Sequence, residues 1–174
     1  LERIAPDQPM QPGQPVRLEF EYERHGTQAL LAGLNVATGQ VSGQVRDPRG
    51  ETDFVDLIKT LVQAHPQAPQ FRFVQDNLNT HQSVSLVRYV ARASGIEEAT
   101  LGIKGPHGIL KDQPSRSQFL SDPAHRISFL YTPKHASWRN PIEIWFGILV
   151  RKVIRRGSFG SKGQLKQKLE AFIE

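Results

Sequence analysis

The sequence predicts an α/β protein in which a mixed β-sheet is flanked by helices. Three observations lead to this prediction: a hairpin pattern near the N-terminus, short apolar strands that alternate with amphipathic helices, and an apolar stripe at helical spacing near the C-terminus. Strands that alternate with helices are typical of parallel pairing. The hairpin adds an antiparallel pair, so the predicted sheet is mixed.

Residues 1–16 precede these elements and differ from them in composition. Proline stands at every third position from Pro6 to Pro15, which favours an extended, polyproline-like connector outside the core. The chain begins with Leu1 rather than Met, so we interpret it as a piece of a longer gene product. The 158 positions from 17 to 174 are enough for one domain with a hydrophobic core.

The first two elements form the hairpin. Residues 27–39 and 40–47 have strand-like composition and meet at a Thr-Gly turn, which is typical of two antiparallel strands. The remaining predicted elements are, in order, a helix at 51–66, a strand at 71–76, a helix at 83–95, a strand at 126–131, a helix from 141 and a last helix at 161–174.

Residues 95–126 are polar and rich in glycine and proline, so we interpret them as an insertion or long loop. This segment is expected to project from the sheet without separating its strands. Its "GIKGPHG" run, residues 102–108, has glycines at every third position and fits neither a dinucleotide fingerprint nor a P-loop. We interpret that run as a flexible basic loop.

The helix that follows residue 140 carries one acid among apolar residues. Asn140 is a helix cap, Pro141 suits the first helical position, and Glu143 completes a capping box. The apolar stripe consists of Ile142, Trp145, Phe146, Leu149, Val150, Val153 and Ile154. Glu143 lies roughly 80° from its centre, so it is expected to be half-buried at the core edge, where a carboxylate tends to acquire a cation or a proton. Capping and a functional site are both open interpretations.

Asp76 is the second candidate acid. It ends the strand at 71–76, and ligand sites in α/β sheets form beyond the carboxyl ends of strands. The local alternative is an Asx turn that starts the next helix. If the strands adjoin, Asp76 and Glu143 converge at one end of the sheet. Because the chain has no cysteine, oxygen ligands favour Mg²⁺ or Mn²⁺, ions that serve phosphoryl transfer.

The basic residues are unevenly placed. The chain has a formal net charge of +5 and a pI of about 9.7, and nine of its 22 Lys and Arg lie between residues 134 and 168 against one acid, Glu143. This asymmetry favours a polyanionic partner such as nucleic acid, and a solvated helix face is the alternative. The candidate DNA contacts are Lys134, Arg151, Lys152, Arg155 and Arg156.

Other features exclude or weaken further functions. Without cysteine there is no disulfide, thiolate zinc site or cysteine nucleophile, and no stretch approaches the length of a membrane span. The cytoplasm is therefore the expected compartment. His81, five residues after Asp76, could touch a phosphate, but we interpret it as a surface histidine. Trp138 and Trp145 could stack on bases, although Trp145 falls on the apolar stripe.

Three stretches together resemble a known family. They are "RHGTQALLAGLNVATGQVSG", "VQDNLNTH" and "RISFLYTPKHASWRNPIEIWFGILVRKVIRRGSF", and they resemble bacterial insertion-sequence transposases of the mariner superfamily over nearly the whole chain. The resemblance implies a ribonuclease H-like fold with an acidic triad. By that likeness Asp76 matches the second acid and Glu143 the third, and both would ligate the two Mg²⁺ or Mn²⁺ ions that cut and rejoin DNA.

The resemblance also implies what this chain lacks. The first acid of the family lies on the first strand of the sheet, ahead of the segment that matches Leu1, so the first strand and the first catalytic Asp are expected to be absent. Glu19, Glu21 and Glu23 alternate like an exposed strand face, so none of them clearly replaces that acid. Arg139 stands where relatives usually have leucine. The separation of 67 positions between Asp76 and Glu143 (143 − 76) exceeds that of compact mariner cores, and residues 95–126 supply the excess.

The expected function is therefore that of a transposase catalytic-domain fragment, 17–174, which lacks activity by itself. The resemblance implies DNA as partner, both transposon ends and target, a homodimer in the complete protein, and a bacterial cytoplasmic, nucleoid-associated location. A non-enzymatic DNA-binding remnant and a metal-dependent nuclease of the same fold are the alternatives.

Overall fold

The computed structural model describes residues 2–5, 9–15, 22–47, 50–133, 140–155 and 157–174. Its strands are β1 (Glu2–Arg3), β2 (Tyr22–Glu23), β3 (Ala29–Leu34), β4 (Val41–Arg46), β5 (Phe71–Gln75) and β6 (Ile127–Tyr131). Its α-helices are α1 (Glu51–Gln63), α2 (Val84–Ala93), α3 (Gln113–Leu120), α4 (Pro141–Leu149) and α5 (Lys162–Ile173). The protein is therefore α/β, as the sequence predicts.

The strands form three separate pairs. β1 pairs with β2 and β3 with β4, both antiparallel, whereas β5 and β6 are parallel. The mixture of pairings agrees with the prediction, but within the described ranges no hydrogen-bonded ladder joins the β3–β4 hairpin to the β5–β6 pair. The described residues therefore do not form a single continuous sheet. The hairpin and the parallel pair are instead connected through α1, whose apolar face contributes to the larger core cluster together with Leu31 of β3 and Phe73 of β5.

The predicted hairpin is confirmed. Its strands pair from Ala29 opposite Arg46 to Leu34 opposite Val41. The backbone N–H of Asn35 donates to the carbonyl of Gln40 at 2.8 Å, which closes the connection. Gly39 has a φ of 75°, a left-handed conformation that glycine adopts without steric cost.

The larger core lies between the parallel pair and helices α1 and α2. Phe129 and Ile127 of β6 are fully buried, and they pack with Leu86 and Val90 of α2 and Ile58 of α1. Parallel strands require a long crossover, and here it is supplied by α2, α3 and their connections. Ser83 begins α2 by accepting a hydrogen bond from the backbone N–H of Leu86 at 3.2 Å.

The segment 95–126, which we interpreted as an insertion or long loop, contains helical structure. It contains a short 3₁₀ turn and helix α3, which begins where the Asp112 carboxylate accepts from the backbone N–H of Ser115 at 2.8 Å. Leu101, Leu110 and Leu120 are buried to 2% exposure or less and belong to the larger core. The segment therefore packs against the core rather than projecting from it. As expected, the segment does not separate the strands, since β5 and β6 pair directly.

A second, smaller core lies beneath the hairpin. Val45 of β4 packs there with Leu149 at the end of α4 and Leu169 of α5. After α4 the chain continues as a π-helical segment, Val150–Ile154, in which the N–H of Arg155 donates to the carbonyl of Val150 at 2.8 Å. The predicted last helix is present as α5, capped by Ser161.

The N-terminal segment is only partly described. Residues 9–15 are exposed, but Gln14 and Gln11 exchange backbone hydrogen bonds around Pro12 and Gly13, so the chain reverses there instead of continuing in an extended polyproline helix. The role of residues 1–16 as a connector stays a prediction. No helix in the part of the chain that the structure describes is long and apolar enough to cross a membrane.

Candidate metal-binding groove

A groove with a volume of about 1580 Å³ lies between the hairpin and the parallel pair. Its lining includes residues of β3, β5 and α1 and the first turn of α4. Asp76 and Glu143 both line this groove. The two candidate acids therefore share one groove lining, although 67 positions separate them in the sequence.

Asp76 follows directly after the last residue of β5. Its position is fixed by the end of the parallel pair, because the N–H of Thr132 donates to the carbonyl of Gln75 at 2.9 Å and the Asn77 side-chain amide donates to the carbonyl of Thr132 at 2.6 Å. The Asp76 Oδ1 accepts from the backbone N–H of Leu78 at 3.1 Å. The predicted Asx turn is therefore present, and it leaves the carboxylate on the groove wall.

His81 makes a second contact with this carboxylate. Its Nδ1 lies 2.8 Å from the Asp76 Oδ1, and its ring packs on Phe54 with the ring centroids 4.2 Å apart. The backbone carbonyl of His81 accepts from the Gln75 side-chain amide and from the Tyr131 hydroxyl, both at 3.1 Å. Burial raises the pKa of Tyr131, so its hydroxyl stays protonated and available as a donor.

Glu143 lies in the first turn of α4, as predicted. Asn140 caps this helix by accepting from the N–H of Ile142 at 3.4 Å, and Pro141 occupies the first helical position. The second half of a capping box is not observed: across the described ranges, no hydrogen bond from the Asn140 N–H to the Glu143 carboxylate is formed.

The expected half-burial of Glu143 is wrong, because its residue is exposed. The prediction placed it beside Val150 and Ile154, and these are themselves 47% and 37% exposed. α4 packs through Ile142 and Leu149, and the apolar stripe is narrower than its spacing suggests. The helix edge that carries Glu143 is therefore exposed, although Glu143 also belongs to the groove lining.

The basic candidates follow α4. Arg151, Lys152 and Arg155 are exposed on or just after the π-helical segment. In the chain as described, none of the three lies within ion-pair distance of an acid. Lys134 and Arg156 lie outside the described residues, as do Trp138 and Arg139. Trp145 is half-buried against Phe146 and Phe172, so it packs in the smaller core rather than offering a face to a base.

A further group of possible ligands joins the N-terminal pair of strands. Carboxylate oxygens of Glu2 and Glu23 and a ring nitrogen of His25 all lie within 4.8 Å of one another, and His25 Nε2 is 2.8 Å from Glu2 Oε2. Glu23 is exposed in β2, as expected, whereas Glu19 and Glu21 lie outside the described residues. Sequence reasoning did not find this group, because its members are joined only by the pairing of β1 with β2.

Sequence reasoning also undervalued His81. The interpretation as a surface histidine is wrong, because the side chain is only 19% exposed and contacts both Asp76 and Phe54. Its position five residues after a strand-ending aspartate was the available signal. The contact itself depends on the 3₁₀ turn at Asn79–Gln82, which brings residue 81 back toward the end of β5.

Comparison with known proteins identifies the family of this chain. The family model described as DDE superfamily endonuclease matches residues 2–166, which is most of the chain and includes both acids of the groove. No curated protein and no solved structure matches the chain. The match covers far more than half of the sequence, and the chain therefore belongs to the DDE superfamily endonucleases.

Proposed function

We propose that this chain is part of the catalytic domain of a DNA transposase, of the mariner superfamily type found in bacterial insertion sequences. DDE superfamily endonucleases generally depend on divalent metal ions and act on DNA, and the mixed α/β architecture is consistent with their fold. The observation that carries the proposal is that Asp76 and Glu143 line one groove. The complete protein would cut transposon ends and join them to target DNA.

The donor chemistry of the groove fits a hard divalent cation. Asp76 and Glu143 offer carboxylate oxygens, the ligands that Mg²⁺ and Mn²⁺ prefer, and the chain has no cysteine to favour a softer metal. The hydrogen bond from the Leu78 N–H and the close contact with His81 Nδ1 both fall on Asp76 Oδ1, which leaves Oδ2 for a cation. A metal bound there supplies an activated water or hydroxyl and stabilises charge on the leaving oxygen.

The unpaired strand edges that line the groove support the proposal that a further strand completes the sheet. β3 pairs only with β4 and β5 only with β6 among the described residues, so each presents one unpaired edge, and both strands form walls of the groove. An unpaired edge has a row of free N–H and C=O groups that a further strand can satisfy. One strand between β3 and β5 would convert the two pairs into a continuous, ribonuclease H-like mixed sheet. That strand would also carry the first acid of the triad.

DNA binding is assigned to the exposed bases after α4. Arg151, Lys152 and Arg155 can contact backbone phosphates, which give affinity without reading sequence. The Glu143 carboxylate lies in the helix that leads into this segment. A polyanion held by these bases is therefore close in sequence to one of the proposed metal ligands.

A strand-cleavage assay tests the proposal. The protein, extended upstream to include the missing strand and supplied with its end-binding region, should nick element-end DNA with Mg²⁺ or Mn²⁺. Asp76→Asn and Glu143→Gln should each abolish nicking while DNA binding persists, since charge is removed with little change of shape. Glu97→Gln is the matched control, because Glu97 is exposed and is not part of the groove lining. Nicking that survives both groove substitutions would refute the assignment.

DNA binding without catalysis is the second candidate function. It is favoured by the same exposed bases and needs neither carboxylate. The assay separates the two functions: an extended protein that binds DNA but does not nick it with either ion is a DNA-binding remnant. Nicking that requires only acids within residues 1–174 would instead identify the metal-dependent nuclease.

A further inference from the structure

We infer that His81 is a positioning residue that fixes the Asp76 carboxylate for metal binding. The inference rests on the proposed function, because it assigns to His81 a role in the same site. It goes beyond that function by explaining how one ligand is held before a metal arrives.

The hydrogen bond between His81 and Asp76 has a defined direction. The Nδ1 of His81 lies 2.8 Å from the Asp76 Oδ1 and 3.4 Å from the Asp76 backbone carbonyl oxygen. Because a carbonyl oxygen only accepts hydrogen bonds, Nδ1 is the donor. The Leu78 N–H donates to the same oxygen at 3.1 Å. Two donors on Oδ1 determine the rotation of the carboxylate and direct its ligand capacity to Oδ2.

The imidazole of His81 is itself held on several sides. Phe54, a buried residue of α1, packs on its ring with a centroid distance of 4.2 Å. The His81 carbonyl is bound by Gln75 and Tyr131, which face each other across the last rung of the parallel pair. Gln75 is only 5% exposed, so this anchor is part of the interior. His81 is therefore held by contacts with the ends of β5 and β6 and with α1.

Holding the Asp76 carboxylate in one orientation favours metal binding. A lone carboxylate at the end of a strand can rotate, and a metal that binds it must first order it. Hydrogen bonds from neighbouring groups to a metal ligand remove that cost, and their loss typically weakens metal affinity about 10–100-fold. His81 is suited to this role because its rigid ring packs on Phe54 and at the same time places Nδ1 beside the Asp76 carboxylate.

Two substitutions separate positioning from packing. His81→Leu keeps an apolar side chain against Phe54 but removes the donor. His81→Asn loses the aromatic contact but places a side-chain amide N–H close to where Nδ1 stands. If His81 only packs against Phe54, His81→Asn should reduce both metal affinity and thermal stability more than His81→Leu does. If His81 positions Asp76, His81→Leu should reduce metal affinity more than His81→Asn does.

The experiment measures Mn²⁺ affinity by the electron paramagnetic resonance signal of free Mn²⁺ during titration of the upstream-extended protein, with thermal unfolding recorded in parallel. We expect His81→Leu to weaken Mn²⁺ binding by about 10–100-fold with little loss of thermal stability. We expect His81→Asn to bind Mn²⁺ nearly as the unsubstituted protein does, even where its melting temperature falls.

The outcomes distinguish this inference from the proposed function. If the unsubstituted protein binds Mn²⁺, Asp76→Asn weakens that binding and His81→Leu does not, the inference is overturned while the proposed function stands. If Asp76→Asn binds Mn²⁺ as tightly as the unsubstituted protein, or neither protein binds it, the proposed function fails and the inference fails with it.

Discussion

Gly102 and Gly108 lie so close that a Cβ atom on either residue would be 2.7 Å from the Cα of the other. Both have positive φ, 81° and 83°. Between them the N–H of Ile103 donates to the carbonyl of His107 at 2.9 Å. Residues 102–108 therefore form a closed turn whose two ends are in contact.

We expect Gly102→Ala and Gly108→Ala each to destabilise the fold. At Gly102 the ψ of −157° combines with positive φ in a region that is essentially restricted to glycine, which alone costs about 1–3 kcal/mol. The added Cβ would also collide with the carbonyl of His107. Gly105→Ala is the control, since its φ is 99° but nothing lies within 4 Å of an added Cβ. Urea denaturation that gives equal losses at all three glycines would show that the close approach contributes nothing.

The described chain should not cleave DNA by itself. Two metal ions about 3.5–4 Å apart need several carboxylate oxygens to hold them and to offset their charge. Of the three acids that line the groove, Asp47 is paired with Lys162 at 2.9 Å, which leaves Asp76 and Glu143. We therefore expect no product from residues 1–174 with Mg²⁺ or Mn²⁺, even at high protein concentration. Cleavage that persists through Asp76→Asn, Glu143→Gln and removal of contaminating nucleases would mean that the reacting residues lie elsewhere.

Replacing Arg151, Lys152, Arg155 and Arg156 with alanine should weaken binding to all DNA duplexes alike, since phosphate contacts carry no sequence information. The slope of log K against log salt should fall in magnitude by about 0.9 for each phosphate that the protein no longer neutralises. Binding titrations at several salt concentrations measure both effects. Arg156, expected nearer the apolar stripe, can also contribute stability through its alkyl chain.

The control for this prediction replaces basic residues that already form ion pairs. Lys59, Arg88 and Arg92 are each paired with an acid, at distances of 2.9, 2.8 and 3.1 Å. Their replacement by alanine should leave the salt slope nearly unchanged. If the paired bases matter as much as those after α4, affinity depends on total charge and not on the proposed surface.

The N-cap of α3 should make stability depend on acid pH. The Ser115 backbone N–H holds the pKa of Asp112 below its usual value, so the unfolded chain binds this proton more readily than the folded chain. The resulting stabilisation is present above about pH 4 and is lost as pH falls through the folded-state pKa. Asp112→Asn keeps a capping oxygen but does not titrate. It should be somewhat less stable than the wild type at pH 7, because it lacks the ionised acceptor, and the difference should disappear as the pH falls below 4 in urea titrations.

The locally determined parts of the fold were predictable from sequence. The hairpin depends on a turn and two apolar runs, and α1, α2 and α5 depend on caps and helical periodicity, all of which are short-range signals. The cap at Asn140 and the strand-ending position of Asp76 were correct for the same reason.

The features that depend on distant partners were not predictable. Leu101 and Leu110 are isolated apolar residues in a polar stretch, and only the folded chain shows that they complete the core. The exposure of Glu143 depends on how much of α4 is covered by the hairpin and by α5. Helical periodicity does not specify the extent of that contact. The contact between His81 and Asp76 requires a 3₁₀ turn whose sequence signal is weak.

The open edges of β3 and β5 also affect how this chain behaves in concentrated solution. Ala29–Leu34 reads "ALLAGL" and carries no charged side chain, whereas natural edge strands are usually protected by lysine, proline or a bulge. Such an edge is a template for strands of other copies. The groove that would accept an intramolecular strand is therefore also the expected origin of self-association, and filling it should improve solubility as well as complete the sheet.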